Sequence, residues 1–280
     1  MRPEPGLVCC AGLFGKQYSC LRLEKLARTG YFNVLAQKVP SPNYEILNRS
    51  IDMRLSIIIP VLNEAESLPG MLKQIASLCA FGSEVIVVDG GGEVDFWHAA
   101  SSAGAQVICS EPGRARQMNA GAAIAQGDIY LFLHADTALP NFAEQAIESA
   151  IQRPGRVREY TWGRFDVRIS GRSLMLKVVA GLMNWRSRLT GIATGDQAMF
   201  MTRRAFTSVG GFPDQPLMED IELSKRLLEL SRPICLTDSV VTSGRRWEAH
   251  GVWRTIWLMW RLRWLYWRGV PASELAKSYQ

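Results

Sequence analysis

The sequence predicts an α/β fold: one domain with a mostly parallel central sheet flanked by helices, followed by a C-terminal Trp/Arg-rich amphipathic helix. Three observations predict it. Short apolar runs alternate with stretches of helical periodicity from residue 54 to 133, the pattern of a parallel sheet covered on both faces. The 280 residues are 48% hydrophobic and 21% charged, the proportions of a soluble globular domain with a sizeable core. Five tryptophans recur at steps of 4, 3, 4 and 3 between Trp253 and Trp267, the repeat of one helix face.

Residues 1–53 break this pattern. They carry Pro3, Pro5, Pro40, Pro42 and three of the six cysteines, with no sustained period beyond a short helix candidate at Leu21 to Ala27. No basic start leads into a long apolar run and a small-residue cleavage site. The expectation is a poorly ordered or dispensable extension with Met53 as the functional start; a small packed subdomain is the alternative. The main domain is expected over 54–250, and the amphipathic helix and tail over 251–280.

Leu55 to Ile59, closed by Pro60, reads as a buried parallel strand. Leu68, Met71, Leu72, Ile75 and Leu78 mark a helix over 64–79. Glu84 to Asp89 is a second buried strand, ending in a carboxylate and three glycines. A helix at 93–103, a strand at Gln106 to Cys109 and a helix at 114–126 follow. Ile129 to Leu133 is the fourth strand and runs into His134-Ala135-Asp136. Ligands of such sheets bind at the carboxyl ends of the strands, where Asn63, Glu64, Asp89 and Asp136 fall. Each acid has a plainer reading as a helix N-cap, but three strand ends carrying polar groups in one sheet form a stronger signal. Gly90-Gly91-Gly92 does not complete G-x-G-x-x-G, because Asp95 stands at the third position, and G-x-x-x-x-G-K-[ST] is absent.

Charge narrows the partners. The net +6 divides into +3 over 1–53, −2 over 54–239 and +5 over 240–280. A near-neutral centre argues against a nucleic-acid footprint across the domain. The basic C-terminal part points to a local anionic partner, a phosphate or an anionic lipid surface. The cysteines form no C-x-x-C pair, which disfavours a zinc site or disulfide framework and fits a reducing, cytosolic compartment. No uncharged apolar stretch of about 18 residues occurs, so no helix is expected to span a bilayer.

Taken together, several segments resemble the family 2 glycosyltransferases of the GT-A (Rossmann-like) fold over about 54–270. They are Ile-Ile-Pro-Val-Leu-Asn-Glu at 58–64, Val-Val-Asp-Gly-Gly at 87–91 and Gly-Arg-Ala-Arg-Gln-Met-Asn-Ala-Gly at 113–121. Next come Phe-Leu-His-Ala-Asp-Thr at 132–137, Gly-Asp-Gln at 195–197, Met-Glu-Asp at 218–220 and Ser-Gly-Arg-Arg-Trp at 243–247. Their order and spacing are specific where each alone is weak, and the details look most like the bacterial subgroup labelled transferase 2, rSAM/selenodomain-associated.

The resemblance implies that Pro60, Asn63 and Glu64 frame the nucleotide, that Asp89 holds its base or ribose, and that Arg114, Gln117 and Asn119 line it. It implies Asp136 as the last acid of the metal-binding motif, for Mg²⁺ or Mn²⁺, and Asp220 as the base of inverting members. His134 stands where the motif usually has its first acid, and Gly92 replaces a usual serine. Asp196 is second choice as base, or an acceptor or sugar contact. His134 and His250 are candidate metal ligands; for His250 a surface or capping role is the alternative. Arg245 and Arg246 suit a diphosphate through guanidinium forks, and Trp247 suits stacking, against the reading of a solvated basic loop. Trp162 and Arg164 are further candidates for the acceptor side.

The Trp face, with Arg254, Arg261 and Arg268 on its flank, fits either an interfacial membrane helix or a buried protein contact. Leu258, Met259, Leu262, Leu265 and Tyr266 fall opposite. The expected activity is metal-assisted, inverting transfer from a nucleotide-diphosphate sugar, UDP first, to an unidentified hydroxyl acceptor, a lipid-linked one being one option, by a cytoplasmic protein for which a peripheral place on the inner membrane face is the further option, with no nucleic acid involved. A sugar-phosphate nucleotidyltransferase is the second enzyme reading, although Val61-Leu62-Asn63-Glu64 replaces its basic glycine-rich loop. A non-catalytic, membrane-tethered nucleotide-sugar binder is the third.

Overall fold

The computed structural model describes residues 53–279, apart from 63, 65–66, 92–93 and 153–157. Asn63 and the extension expected over 1–53, Met53 excepted, lie outside the described residues. Leu55–Val61 (β1), Glu84–Asp89 (β2), Gln106–Cys109 (β3) and Ile129–Phe132 (β4) form the strands read from the sequence. Helices Leu68–Ala80 (α1), Val94–Ser102 (α2) and Arg114–Ile124 (α3) connect them. Because strand side chains alternate between faces, the continuous apolar runs fill two cores. Ile57, Ile59, Val85, Val87 and Leu131 pack on one side; Ile58, Ile86, Val88, Tyr130 and Phe132 pack on the other.

Pro60 sits within β1 without disrupting the sheet. Ile58 accepts a bond from the Leu133 amide on the β4 side, and the β1–β4 ladder stops at Ile58. Pro60 faces the same way two residues further on, so its missing N–H costs no ladder bond.

The second half of the chain supplies Thr137–Ala138 (β5), Ala143–Ile151 (α4), Trp162–Ser170 (β6), Met175–Thr190 (α5) and Met199–Thr202 (β7). Arg203–Ser208 (α6), Glu219–Leu230 (α7), Ile234–Ser243 (β8), Arg245–His250 (α8), Val252–Trp267 (α9) and Ala272–Lys277 (α10) complete it. The eight strands lie in the order β3-β2-β1-β4-β7-β6-β8-β5. The first four are mutually parallel, β7 runs antiparallel to both β4 and β6, β8 is parallel to β6, and β5 is antiparallel to β8.

The sheet is therefore mixed, where the sequence predicts a mostly parallel one. β6 and β8 alternate buried with exposed positions towards their ends, as strands with one solvated face do. The reversal at β7 decides where the site forms. Phe132, the last residue of β4, pairs with Met199, the first residue of β7. The turn that precedes β7 is thereby delivered to the carboxyl ends of β1, β2 and β4.

Trp162 and Arg164, candidates for the acceptor side, are both fully buried. The Trp162 indole donates to the Ser231 carbonyl at 2.8 Å. Arg164 is held by Asp166, by the Ser187 hydroxyl at 3.1 Å and by the Asn184 carbonyl at 3.1 Å. The Arg164 contacts bind β6 to α5 and the Trp162 bond ties β6 to the end of α7, so both residues belong to the scaffold.

Candidate active site

At the carboxyl edge of the sheet, polar side chains gather round two cavities. The larger, about 330 Å³, is bordered by Asp136, Arg245, Ser67, Gln74 and Ser243. Asp136 is half-buried and takes one bond from the Thr137 hydroxyl, at 3.3 Å. Arg245 reaches across from the start of α8, donating to the hydroxyls of Ser67 at 2.8 Å and Ser243 at 3.1 Å, and lies 3.6 Å from Glu64. Glu64 and Ser67, Asp136, and Ser243 and Arg245, distant in the chain, are thus brought together.

The smaller cavity is bordered by His134, Gly195, Glu219, Asp220 and Met118. Asp220 lies in the first turn of α7, where a helix N-terminus favours negative charge. Its carboxylate accepts from the Gly195 amide at 2.9 Å and the Ile221 amide at 2.7 Å. Burial and then the adjacent Glu219 charge push its pKa up to about 6, against the two amides and Arg114. Met218, just before the helix, is held at φ 64°, a left-handed conformation rare outside glycine. The tilt of the chain that aims Asp220 inward is therefore imposed by its surroundings.

The Gly195–Gln197 turn meets this carboxylate because β7 follows it. A Cβ at Gly195 would overlap the His134 imidazole, so only glycine lets the turn approach. His134 Nδ1 is 3.3 Å from the Asp196 carboxylate. Desolvation raises the Asp196 pKa, but the bond from His134 and the charges of His134, Arg114 and Arg246 outweigh it and hold the group below the usual carboxylate range.

Two polar groups in this region, three atoms in all, are buried with no partner among the described residues. One is His134 Nε2. The other is the Nε–Nη2 edge of Arg186, whose pKa is lowered by desolvation and by Arg164 while Asp220 opposes the fall. Unsatisfied buried polar groups are rare in native structures; the cavity beside Asp220 measures only about 10 Å³, the space of a single water, and Arg186 does not line it.

Several residues read as nucleotide contacts are occupied otherwise. Asp89 is buried and accepts from the Trp97 indole at 2.7 Å and the Gly91 amide at 3.2 Å. Gln117 bridges the ends of β1 and β2, donating to the carbonyls of Val61 at 2.7 Å and Val88 at 2.8 Å. Asn119 clamps Phe212 by donating to its carbonyl at 2.8 Å and accepting from its amide at 3.0 Å. Arg114 lies 3.4 Å from the buried Glu219. The α3 side chains thus tie the strand ends and the approach to Asp220 into one rigid frame. Pro60 is buried within β1.

The basic turn divides three ways. Arg245 joins the larger cavity. Arg246 stacks on the Tyr279 ring at 3.8 Å and donates to the Tyr279 carbonyl at 3.2 Å. Trp247 is half-buried against the main core. His250 is exposed and borders neither cavity. Arg186, Trp97 and Tyr279, neighbours of Asp220, Asp89 and Arg246, are not singled out by periodicity or motif spacing, and Glu219 stands in the 218–220 motif with no role assigned to it.

If Asp220 takes a proton in the reaction, kcat/KM should fall below pH about 6, because only the ionised form can accept one. A pH–rate profile checks this; a profile flat from pH 5 to 8 would place the titrating group elsewhere.

The glycosyl transferase family 2 model matches residues 56–209, more than half of the chain, and stops short of Asp220. A mannosyltransferase from Pyrobaculum calidifontis, solved in complex with GDP-Man and Mn²⁺, shares 20% identity at a TM-score of 0.53, covering 75% of this chain and 60% of that one. TarS of S. aureus, residues 1–349, shares 15% identity at a TM-score of 0.52, covering 69% of this chain and 61% of that one. This chain spans about three fifths of the length of either protein, and at these identities the likeness is one of fold. A search among curated proteins gives no match.

Proposed function

The chain belongs to glycosyl transferase family 2, and we propose that it transfers a sugar, with inversion, from a nucleotide-diphosphate donor to a hydroxyl acceptor, using Asp220 as base. The observation that carries this reading is the convergence of Asp220, Glu219 and His134 on one cavity, beside a second cavity rimmed by Asp136 and Arg245. One cavity has the means to take a proton and the other the means to hold phosphates.

In this reading the acceptor oxygen attacks the anomeric carbon, the bond to the diphosphate breaks, and the hydroxyl proton passes to Asp220. Such assistance is worth about 10²–10⁴-fold in rate. The amides of Gly195 and Ile221 fix the carboxylate in place. Arg245 offers a planar fork to the diphosphate, and UDP is the first nucleotide to test.

No three His, Cys, Asp or Glu side chains among the described residues form a metal-binding group. A protein-only cage is thus absent there, yet the donor set suits Mg²⁺ or Mn²⁺, which need only one or two carboxylates when substrate phosphates supply other ligands. Asp136, half-buried on the larger cavity, would hold the ion. The ion would neutralise charge developing on the diphosphate. His134 borders the other cavity and is engaged with Asp196.

A thermal-shift panel of nucleoside diphosphates, with and without Mn²⁺, tests this reading, and stabilisation by none of them would overturn it. Arg245→Ala should weaken binding of the preferred diphosphate by roughly 10- to 100-fold, the range for a charge-assisted hydrogen bond, and should spare the bare nucleoside. Equal weakening of both would assign Arg245 a structural role.

A further inference from the structure

We propose that the outer faces of α9 and α5 form a docking surface for an anionic lipid bilayer. Trp253, Trp257, Trp260, Trp264 and Trp267 are 55–78% exposed, far more aromatic surface in one row than scattered surface residues provide. α5, which touches α9, carries a row of its own: Leu174, Val178, Leu182, Trp185 and Leu189 are 49–74% exposed. Their steps of 4, 4, 3 and 4 keep them on one helix face.

Charge selects the occupant. Residues 167–195 and 249–273 contain no Asp or Glu. The exposed cations there include Lys177, Arg254, Arg261 and Arg268. Arg261 and Arg268 lie over the rings of Trp257 and Trp264, at 5.5 and 5.6 Å from the centroids. Indoles beside arginines suit the headgroup layer, where the ring meets the acyl boundary and the cation meets lipid phosphate. A second copy of the chain fits poorly. A two-fold interface pairs the same patch with itself, which would set arginine rows against each other with no acid between them.

The helix lies on a bilayer and does not cross it. Its 16 residues reach about 24 Å at 1.5 Å per residue, and no helix among the described residues is long and apolar enough to span. Its inner face is committed to protein: Leu262 is buried, and Leu258, Met259, Leu265 and Tyr266 pack around Met218 and Ile221, two residues before and one after Asp220. Docking would hold Asp220 about one helix diameter, roughly 10 Å, from the headgroups. An acceptor presented by a lipid is the substrate class this arrangement serves, a consequence that rests on the proposed function; the docking itself does not.

The test is co-sedimentation of the full chain, without donor, with vesicles of phosphatidylcholine alone and with added phosphatidylglycerol. Binding should require the anionic lipid and weaken as salt rises, since exposed charges are screened. Combining Arg254→Glu, Arg261→Glu and Arg268→Glu should cut affinity by about 10²-fold or more. Combining Trp253→Ser, Trp257→Ser and Trp260→Ser should abolish binding with the circular-dichroism melt unchanged. If the Trp variant unfolds, the arginine variant decides. No binding by the parent at low salt, equal binding to both vesicle types, or full binding by the arginine variant would overturn the proposal. So would a dimer that the Trp changes dissociate, in a parent that leaves vesicles untouched. Retained vesicle binding in a chain that binds no nucleoside diphosphate would separate this surface from the proposed function.

Discussion

Asp220→Asn should lower turnover by about 10²-fold or more while leaving donor affinity near that of the parent, because a base acts in the transition state and contributes little to the ground state. The substitution keeps the shape of the side chain. Its amide oxygen can still accept one of the bonds from Gly195 and Ile221, so the α7 entry should hold. The acid limb near pH 6 should vanish in the variant, because the group that sets it no longer titrates. Steady-state kinetics across pH check both effects together. A variant with parental turnover would move the role to Asp196, the carboxylate on the Gly195–Gln197 turn.

The second large effect is expected at Asp136. Asp136→Ala should remove the Mn²⁺-dependent part of nucleoside diphosphate binding, a part present in the parent and lost in the variant. Mg²⁺ and Mn²⁺ prefer oxygen ligands, and this carboxylate borders the same cavity as Arg245. The fold should tolerate the change, since the side chain makes one long bond to its neighbour Thr137. Calorimetric titration with and without the ion reads the difference. Unchanged metal dependence in a folded variant would take Asp136 out of the metal's coordination.

The strand ends were legible because a buried parallel strand is a continuous apolar run, and the first polar residue after it marks the edge of the sheet. Asp89 and His134 follow that rule. The use made of these residues was less legible. Asp89 ends a strand as expected, yet its oxygens serve Gly91 and Trp97, an indole eight residues away that no period announces. Gln117 and Asn119 read as ligand contacts because polar residues on a buried helix face invite a polar partner. That partner is backbone from 29 to 93 residues away.

The mixed half of the sheet escaped for a similar reason. β5 to β8 depend on pairings between distant segments, and the antiparallel β7 is four residues long. Without that reversal the Gly195–Gln197 turn has no visible tie to Asp220. Arg186 lies on a helix whose other face is apolar and exposed, and only its buried, unpartnered guanidinium edge points to a role. The tryptophan row was legible as a helix face, and its exposure needed the packing of the opposite face on Met218 and Ile221.

The central claim is that this member of glycosyl transferase family 2 displaces a nucleoside diphosphate by a hydroxyl whose proton Asp220 takes. The most direct measurement is nucleoside diphosphate release from a panel of UDP-, GDP- and other nucleotide-sugars, with Mn²⁺ and lipid vesicles present, by the parent and by Asp220→Asn side by side. The predicted result is release from at least one donor by the parent, reduced about 10²-fold or more in the variant. No release from any donor by the folded parent, or equal release by the two proteins, would contradict it.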